Sequence, residues 1–343
     1  MRCSLRAAIR KSRIRNRLEQ LLGNSAGWDK PSPRSEKRGD AAIGRFEELE
    51  ERVVLSAAWC VAAERPEFIQ RRWQATPHPP VEVLFAPGTP QQYVDAIESE
   101  HGEEPPAPFT LQSRWTSTAT DGSGLTNGDV TTLTWSIAPD GTPIGAIGNV
   151  SGESTDDSNL VAYMRGIYGD TDTDTDYTNE AWFQQFEAVF DRWSELTGIT
   201  YVYEPADDGA AFDSFSFTAP GILGTRGDVR IGGHRIDGNS GVLAYNFYPN
   251  NGEMVIDTGD GYYTNTSSNS LRLRNVVAHE VGHGLGLRHS ESSDANFLLE
   301  PYATTAFDGP QFDDILGAQR FYGDANGSND SIASATSLGA VSV

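Results

Sequence analysis

Cysteine, lysine and long apolar runs are all scarce in this chain of 343 residues. Its two cysteines, Cys3 and Cys60, both fall within the first 60 residues, so the body that follows can hold neither a disulfide scaffold nor a thiolate metal site. Its three lysines, Lys11, Lys30 and Lys37, lie in that same stretch. No run reaches the roughly 18 apolar residues of a spanning helix, which argues against an integral membrane protein. Positive charge is short overall, with 26 Lys+Arg against 48 Asp+Glu and a net charge of −22. That balance repels phosphates and argues against a nucleic-acid partner. What is present suffices for a core: 38% hydrophobic and 10% aromatic residues exclude wholesale disorder.

The charge divides the chain. Residues 1–50 carry a balance of +5 and the remainder −27, which predicts a basic leader ahead of an acidic body. We read residues 1–63 as that leader with an export-type segment, ending in the apolar run Val53–Ala63 (VVLSAAWCVAA). Residues 64–110, with PHPP at 77–80 and EEPPAP at 103–108, read as a linker or pro-segment with one small helix around Gln91–Glu100. Residues 111–323 carry the folded domain. The Ser/Asn/Ala/Gly-rich tail, 324–343, reads as the start of a further β-rich module.

Within the domain, Thr131–Ile137 (TTLTWSI) is β-branched and aromatic and predicts a strand. From Glu180 to Leu196, apolar residues at Trp182, Phe183, Phe186, Val189, Phe190, Trp193 and Leu196 keep a helical spacing. Ile199–Tyr203 follows as a strand, with further strands expected at Asp228–Ile231, Val242–Phe247 and Glu253–Ile256. A second helix is expected from Ser270 towards Gly286 and a third over Asp313–Tyr322. This order predicts an α/β (α+β) domain built on a mixed sheet.

The chemistry concentrates in Ala278–Ser290, AHEVGHGLGLRHS, where three of the six histidines stand within eleven residues. His279 and His283, four apart on a helix, share a face and can aim imidazole nitrogens at one point. Gly286 breaks the helix, and the turn lets His289 return to that point. Three neutral nitrogens with one open position suit catalytic Zn²⁺. Glu280, about 100° further round the helix, falls beside the open position, placed to take a proton from a metal-activated water and pass it to the leaving amine. Burying these polar groups on an otherwise apolar helix without a metal would be costly.

HExxHxxGxxH is the zinc signature of metzincin metallopeptidases, and with Ser290 and the Gly-Leu-Gly-Leu spacer the segment resembles the matrixin branch. Asp313–Gly323 is similar to the closing helix of matrixin catalytic domains, Gly241–Pro249 to their substrate-facing edge strand, and Trp182–Tyr203 to their first long helix and following strand. The resemblance implies a zincin-like domain with a twisted mixed sheet, an antiparallel edge strand, an active-site helix and a C-terminal helix. It implies zinc endopeptidase activity on a protein or peptide substrate, bound as an added strand along Val242, Leu243, Ala244 and Tyr245. It also implies a structural Ca²⁺ site at Asp237, Gly238, Asp257 and Asp260, for which a solvated acidic loop is the alternative. Arg45–Ala57 (RFEELEERVVLSA) resembles the N-terminal sorting-type motif of planctomycete surface and secreted proteins, implying export.

The chain departs from the family in three places. Leu299 stands where metzincins place a Met beneath the zinc. Arg230, Gly232, Tyr245 and Val255 occupy places where animal matrixins bind a second, structural zinc, so that site is expected to be absent, with His234 a solvated or hydrogen-bonded residue. Cys60 lacks the surroundings of the family's latency cysteine. Asp170–Asp176 (DTDTDTD) lacks the Gly and Glu of an EF-hand loop and reads as a solvated loop. Two competing readings follow: a surface or adhesion module with a degenerate, inactive protease domain, and another metzincin branch with Tyr302 as a ligand.

Overall fold

The computed structural model describes residues 81–98, 109–147, 150–212, 221–290 and 297–325. The basic leader, the sorting-type motif, Cys60 and the module-like tail beyond residue 325 lie outside these residues.

In chain order the elements are β1 (Val81–Phe85), α1 (Gln91–Glu98), β2 (Thr110–Leu111), β3 (Ser117–Thr118), β4 (Gly122–Ser123), β5 (Thr131–Ile137) and α2 (Leu160–Tyr168). There follow α3 (Phe183–Leu196), β6 (Ile199–Tyr203), β7 (Val229–His234), β8 (Val242–Phe247), β9 (Met254–Asp257), α4 (Ser267–Gly284), β10 (Leu287–Arg288) and α5 (Phe312–Tyr322). Six strands form one mixed sheet in the order β1-β8-β9-β7-β5-β6. The pairs β9–β7, β7–β5 and β5–β6 are parallel, whereas β8 runs antiparallel to both of its neighbours. The architecture is the α/β one expected from the sequence.

Long-helix packing follows from spacing. The face of α3 that carries Phe183, Phe186, Val189, Phe190 and Trp193 is buried. Trp135 of β5 stacks on Phe183 and Phe190, with ring centroids 5.2 and 4.4 Å apart. Trp193 crosses to α4, donating its indole N–H to the Ala278 carbonyl at 3.1 Å. These buried aromatics fix α4, the helix that carries the histidines, against α3 and β8.

Two elements differ from the sequence expectation. Within residues 81–98, expected to belong to the linker or pro-segment, the small helix expected around Gln91–Glu100 forms as α1 and an unexpected strand, β1, precedes it. Val242–Phe247, expected as the exposed edge strand, is instead covered: β1 pairs with it from Val81↔Phe247 to Phe85↔Val242. The physical reason is visible in VEVLF, whose β-branched and aromatic residues favour a strand and whose five residues are all buried. Ser267–Gly284 also begins unusually. Ser268, Asn269 and Ser270 have φ near +55°, so the right-handed helix starts at Leu271.

Candidate metal centre and active site

His279 and His283 project from the buried C-terminal half of α4, and His289 reaches back after β10. The return depends on Gly286, whose φ of +91° and close approach to the Ser113 carbonyl leave no room for a side chain. The strap before β3 then closes over the turn. Gln112 donates to the Gly286 carbonyl at 2.8 Å, and the Trp115 indole donates to the Gly284 carbonyl at 2.8 Å.

Each helical imidazole is oriented from behind. His279 Nδ1 lies 2.6 Å from the Leu298 carbonyl and His283 Nδ1 lies 2.8 Å from the Leu287 carbonyl. A carbonyl only accepts, so both Nδ1 atoms carry the proton and both Nε2 atoms present lone pairs. Those lone pairs meet: His279 Nε2 is 2.8 Å from His283 Nε2 and 3.2 Å from His289 Nε2. Burial, with the neighbouring histidines, pushes His279 well below the ordinary imidazole range and His283 down to about 4. Neutral rings with converging lone pairs repel one another unless a cation sits between them. Among the described residues, this trio is the group whose ligand atoms converge as a metal requires. Three imidazole nitrogens are the donor set that Zn²⁺ favours at catalytic sites.

Glu280 is fully buried, and neither carboxylate oxygen has a hydrogen-bond partner. Burial, reinforced by the Glu82 charge, pushes its carboxyl well above the usual range. A cation beside it would offset that penalty. The protein thus leaves two imbalances of the same sign, unopposed lone pairs and an unopposed carboxylate on neighbouring residues, and one cation answers both.

The Leu299 position is an apolar support. Leu299 is buried, its carbonyl accepts from Ser290 N–H at 2.9 Å, and its side chain lies against Gly282 of α4, where a Cβ would come within 2.9 Å. The backbone N–H groups of Leu298 and Leu299 donate to the Asp314 carboxylate at 2.9 and 3.3 Å. Asp314, in the first turn of α5, thereby fixes the carbonyl that orients His279. Burial pushes its carboxyl up to about 6. Sequence reading missed this role, although Gln311 and Asp314 form a reciprocal capping box at the spacing such boxes require.

Glu82 was missed as well. Its carboxylate accepts from the His289 N–H at 2.6 Å and from Arg288 Nε at 2.8 Å, and lies 3.5 Å from His289 Nδ1. Burial raises its pKa, but the imidazoles of His289 and His283 and the Arg288 guanidinium outweigh this and hold it below the usual range. Tyr302 turns away from the centre and donates its hydroxyl to Gln91 Oε1 at 2.8 Å.

Asp237, Gly238, Asp257 and Asp260 come together where the loop between β7 and β8 meets the end of β9 and the turn that follows it. Their carboxylates act as turn acceptors: Asp257 takes N–H groups of Ile236, Asp237, Gly238 and Gly259, while Asp260 takes those of Ser240 and Tyr262. Asp237 accepts from Val242 N–H and from the Tyr93 hydroxyl at 2.6 Å. At the places where a second zinc would sit, the protein supplies its own partners. Arg230 forms a buried two-pronged pair with Asp207 at 2.7 and 2.9 Å. His234, also buried, sits between the Asp156 carbonyl and Glu153, and Glu153 accepts from Tyr245 as well. Asp170–Asp176 forms exposed turns capped by its own carboxylates.

Comparison with known proteins bears on this region. Residues 167–323 match the Matrixin family model. This part of the chain is similar to the matrixins. Metalloendoproteinase 4-MMP of Arabidopsis thaliana is 32% identical over 144 residues, covering 40% of this chain and 39% of the relative. Karilysin of Tannerella forsythia is 32% identical over 146 residues, covering 40% and 27%, and the interstitial collagenase of Bos taurus is 34% identical over 144 residues, covering 41% and 28%. The chain therefore spans well under half the length of these relatives. No helix among the described residues is long and apolar enough to cross a membrane.

Proposed function

We propose that the chain is an exported zinc-dependent endopeptidase, in which His279, His283 and His289 hold the metal and Glu280 is the general base and acid. The observation that carries this reading is the pairing of three converging Nε2 lone pairs with a buried carboxylate that has no partner. Bound Zn²⁺ would lower the pKa of a water from about 15.7 towards about 7 and polarise the scissile carbonyl. Glu280 is the group placed to take the proton of that water, hold it in a water-poor pocket and return it to the leaving amine. The Leu298 and Leu287 carbonyls lock the imidazole tautomers, and Asp314 holds the first of these carbonyls in place.

Export rests on the basic leader and on Arg45–Ala57, and a mass measurement locating the mature N-terminus of the exported protein tests it. A structural Ca²⁺ at Asp237, Gly238, Asp257 and Asp260 is the weaker part of the proposal, since their carboxylates are engaged by backbone amides. It predicts that Ca²⁺ raises the melting temperature, and no shift would remove it. The reading as an inactive adhesion module is not favoured, because the histidines and Glu280 are set up with nothing but a cation to complete them.

The deciding experiment compares the zinc-loaded chain with Glu280→Ala on an unfolded protein substrate. Both should carry one zinc per chain, and the variant should hydrolyse about 10²–10⁴-fold more slowly. Equal inertness of the two with zinc bound would return the chain to the adhesion-module reading.

A further inference from the structure

A second hollow shares no residue with the metal centre. It opens outside the carboxyl ends of β5 and β6, which run parallel. From β5 the connection through α2 and α3 adds β6 on one side, and the connection from β6 returns to add β7 on the other. The two connections diverge there, and a crevice at such a point is the usual ligand position of an open α/β sheet. The cleft holds about 370 Å³, within the roughly 300–1,000 Å³ of small-molecule sites.

Its walls are of two kinds. Ile137, Pro139, Pro205 and Ala206 make an apolar side, and Tyr177, Asp207, Asp208 and Thr225 a polar one. Tyr177 is 7% exposed, yet its hydroxyl has no hydrogen-bond partner among the described residues, where a buried phenol normally finds one. Trp182 and the Arg165 guanidinium fix its ring, each 5.5 Å from the centroid. Burial pushes the phenol above its ordinary value, so it stays neutral and its oxygen can accept. Asp207 is closed by Arg230 and Ser136. Asp208 is not. Its side chain is 38% exposed, it accepts from Ala210 N–H at 3.3 Å, and Arg226 reaches it at 3.4 Å through one nitrogen while Nε stays without a partner. Asp174 and Asp176 flank the lining residue Thr175, and Glu204 precedes Pro205, which makes the rim acidic. All three lysines precede residue 38, so no described residue supplies an alkylammonium group.

We propose that this cleft is a second binding site, separate from the metal centre, for a primary alkylammonium group on a short aliphatic stem. The stem lies against the two prolines, Ile137 and Ala206, while the ammonium donates to the Asp208 carboxylate and to the Tyr177 hydroxyl. Each alternative leaves part of the cleft unmatched. An anion meets the acidic rim, and a neutral apolar ligand leaves the Tyr177 hydroxyl unpaired. A bare Ca²⁺ needs six to eight oxygens, of which those of Asp207 are already taken, and it leaves the apolar side in water. The site does not depend on the endopeptidase reading. A free amine and the lysine side chain of a protein carry the same group.

The test is calorimetric titration of the full chain with pentylamine at pH 7, with pentanol and ammonium chloride as controls. Pentylamine should bind, and pentanol and ammonium should each bind at least about ten-fold more weakly, since one lacks the charge and the other the stem. Tyr177→Phe keeps the ring and should weaken pentylamine about five-fold. Asp208→Asn should weaken it about three-fold, and added salt should weaken it as well. Ala206→Trp, which fills the apolar side, should abolish binding. Cooperative melting confirms that each variant is folded. Cadaverine and N-acetyl-lysine amide then separate the sources: tighter binding of the diamine assigns a free amine, and tighter binding of the lysine amide assigns a protein side chain. No binding of pentylamine at millimolar concentration would overturn the site. So would equal binding of pentanol, or an affinity that neither Tyr177→Phe nor Asp208→Asn moves.

Discussion

Two buried histidine sites, His234 at the end of β7 and the pair His279 and His283 on α4, end in opposite states. At His234, both ring nitrogens have protein partners, Glu153 is shared with Tyr245, and Arg230 is matched by Asp207. At His279 and His283, only the rear nitrogens are matched; the front ones face each other across 2.8 Å, with an unpartnered Glu280 nearby. The difference shows how the chain distinguishes structure from chemistry. Where a role is structural, the buried groups are closed by protein; where we propose a metal, electron-rich atoms are left with nothing to balance them. Buried polar atoms are almost always satisfied, so an incomplete set on the buried half of α4 is a functional signal.

The comparison breaks most visibly at the open site. His283→Ala should abolish zinc binding and with it hydrolysis, whereas the closed site should tolerate substitution without loss of metal; zinc content after dialysis checks both. At the closed site, Asp207→Ala removes the two-pronged partner of the buried Arg230 guanidinium, leaving it Glu253 at 3.6 Å, and should cost on the order of 1–3 kcal/mol in urea unfolding, with zinc content unchanged.

Acid sharpens the contrast further. His283, lowered to about 4, and His279, also lowered, bind protons less readily when folded than when unfolded. Their contribution to stability is therefore present above about 6.5 and is lost as the pH falls towards the folded values. Asp314, raised to about 6, acts with the opposite sign, since its contribution is lost as the pH rises through that value. Glu280, raised well above the usual range, acts in the same sense as Asp314, so the imidazole contribution is read by difference: relative to the metal-free parent, His283→Asn should lose less stability between about pH 7 and about pH 4.5. Unfolding curves at the two values would show it. The smallest effect belongs to Leu299→Met, a volume-conserving change against Gly282 that should alter stability by less than about 1.5 kcal/mol.

The sequence made the metal centre legible because its geometry is local. Four residues separate His279 from His283 on one helix, and Gly286 announces the turn that returns His289. Trp135, α3 and β6 were legible for a similar reason, since their apolar spacing matches the period of the element that they form. What stayed hidden depends on contacts distant along the chain. Glu82 meets His289 across 207 positions, and nothing in the short run VEVLF, set among prolines, says which strand it will join. The helix Leu160–Tyr168 escaped notice because it is short, contains Gly166, and stops at Gly169 in a left-handed conformation. Asp207 and Glu153 could not be paired with Arg230 and Tyr245 before the fold was known.

The central claim is that one cation completes the trio of imidazoles and balances Glu280. Zinc content of the stripped and reloaded chain tests it most directly. The account predicts one zinc per chain in the wild type, one in Glu280→Gln and none in His283→Ala. Equal zinc in His283→Ala and the wild type, or none in any of the three, would contradict it.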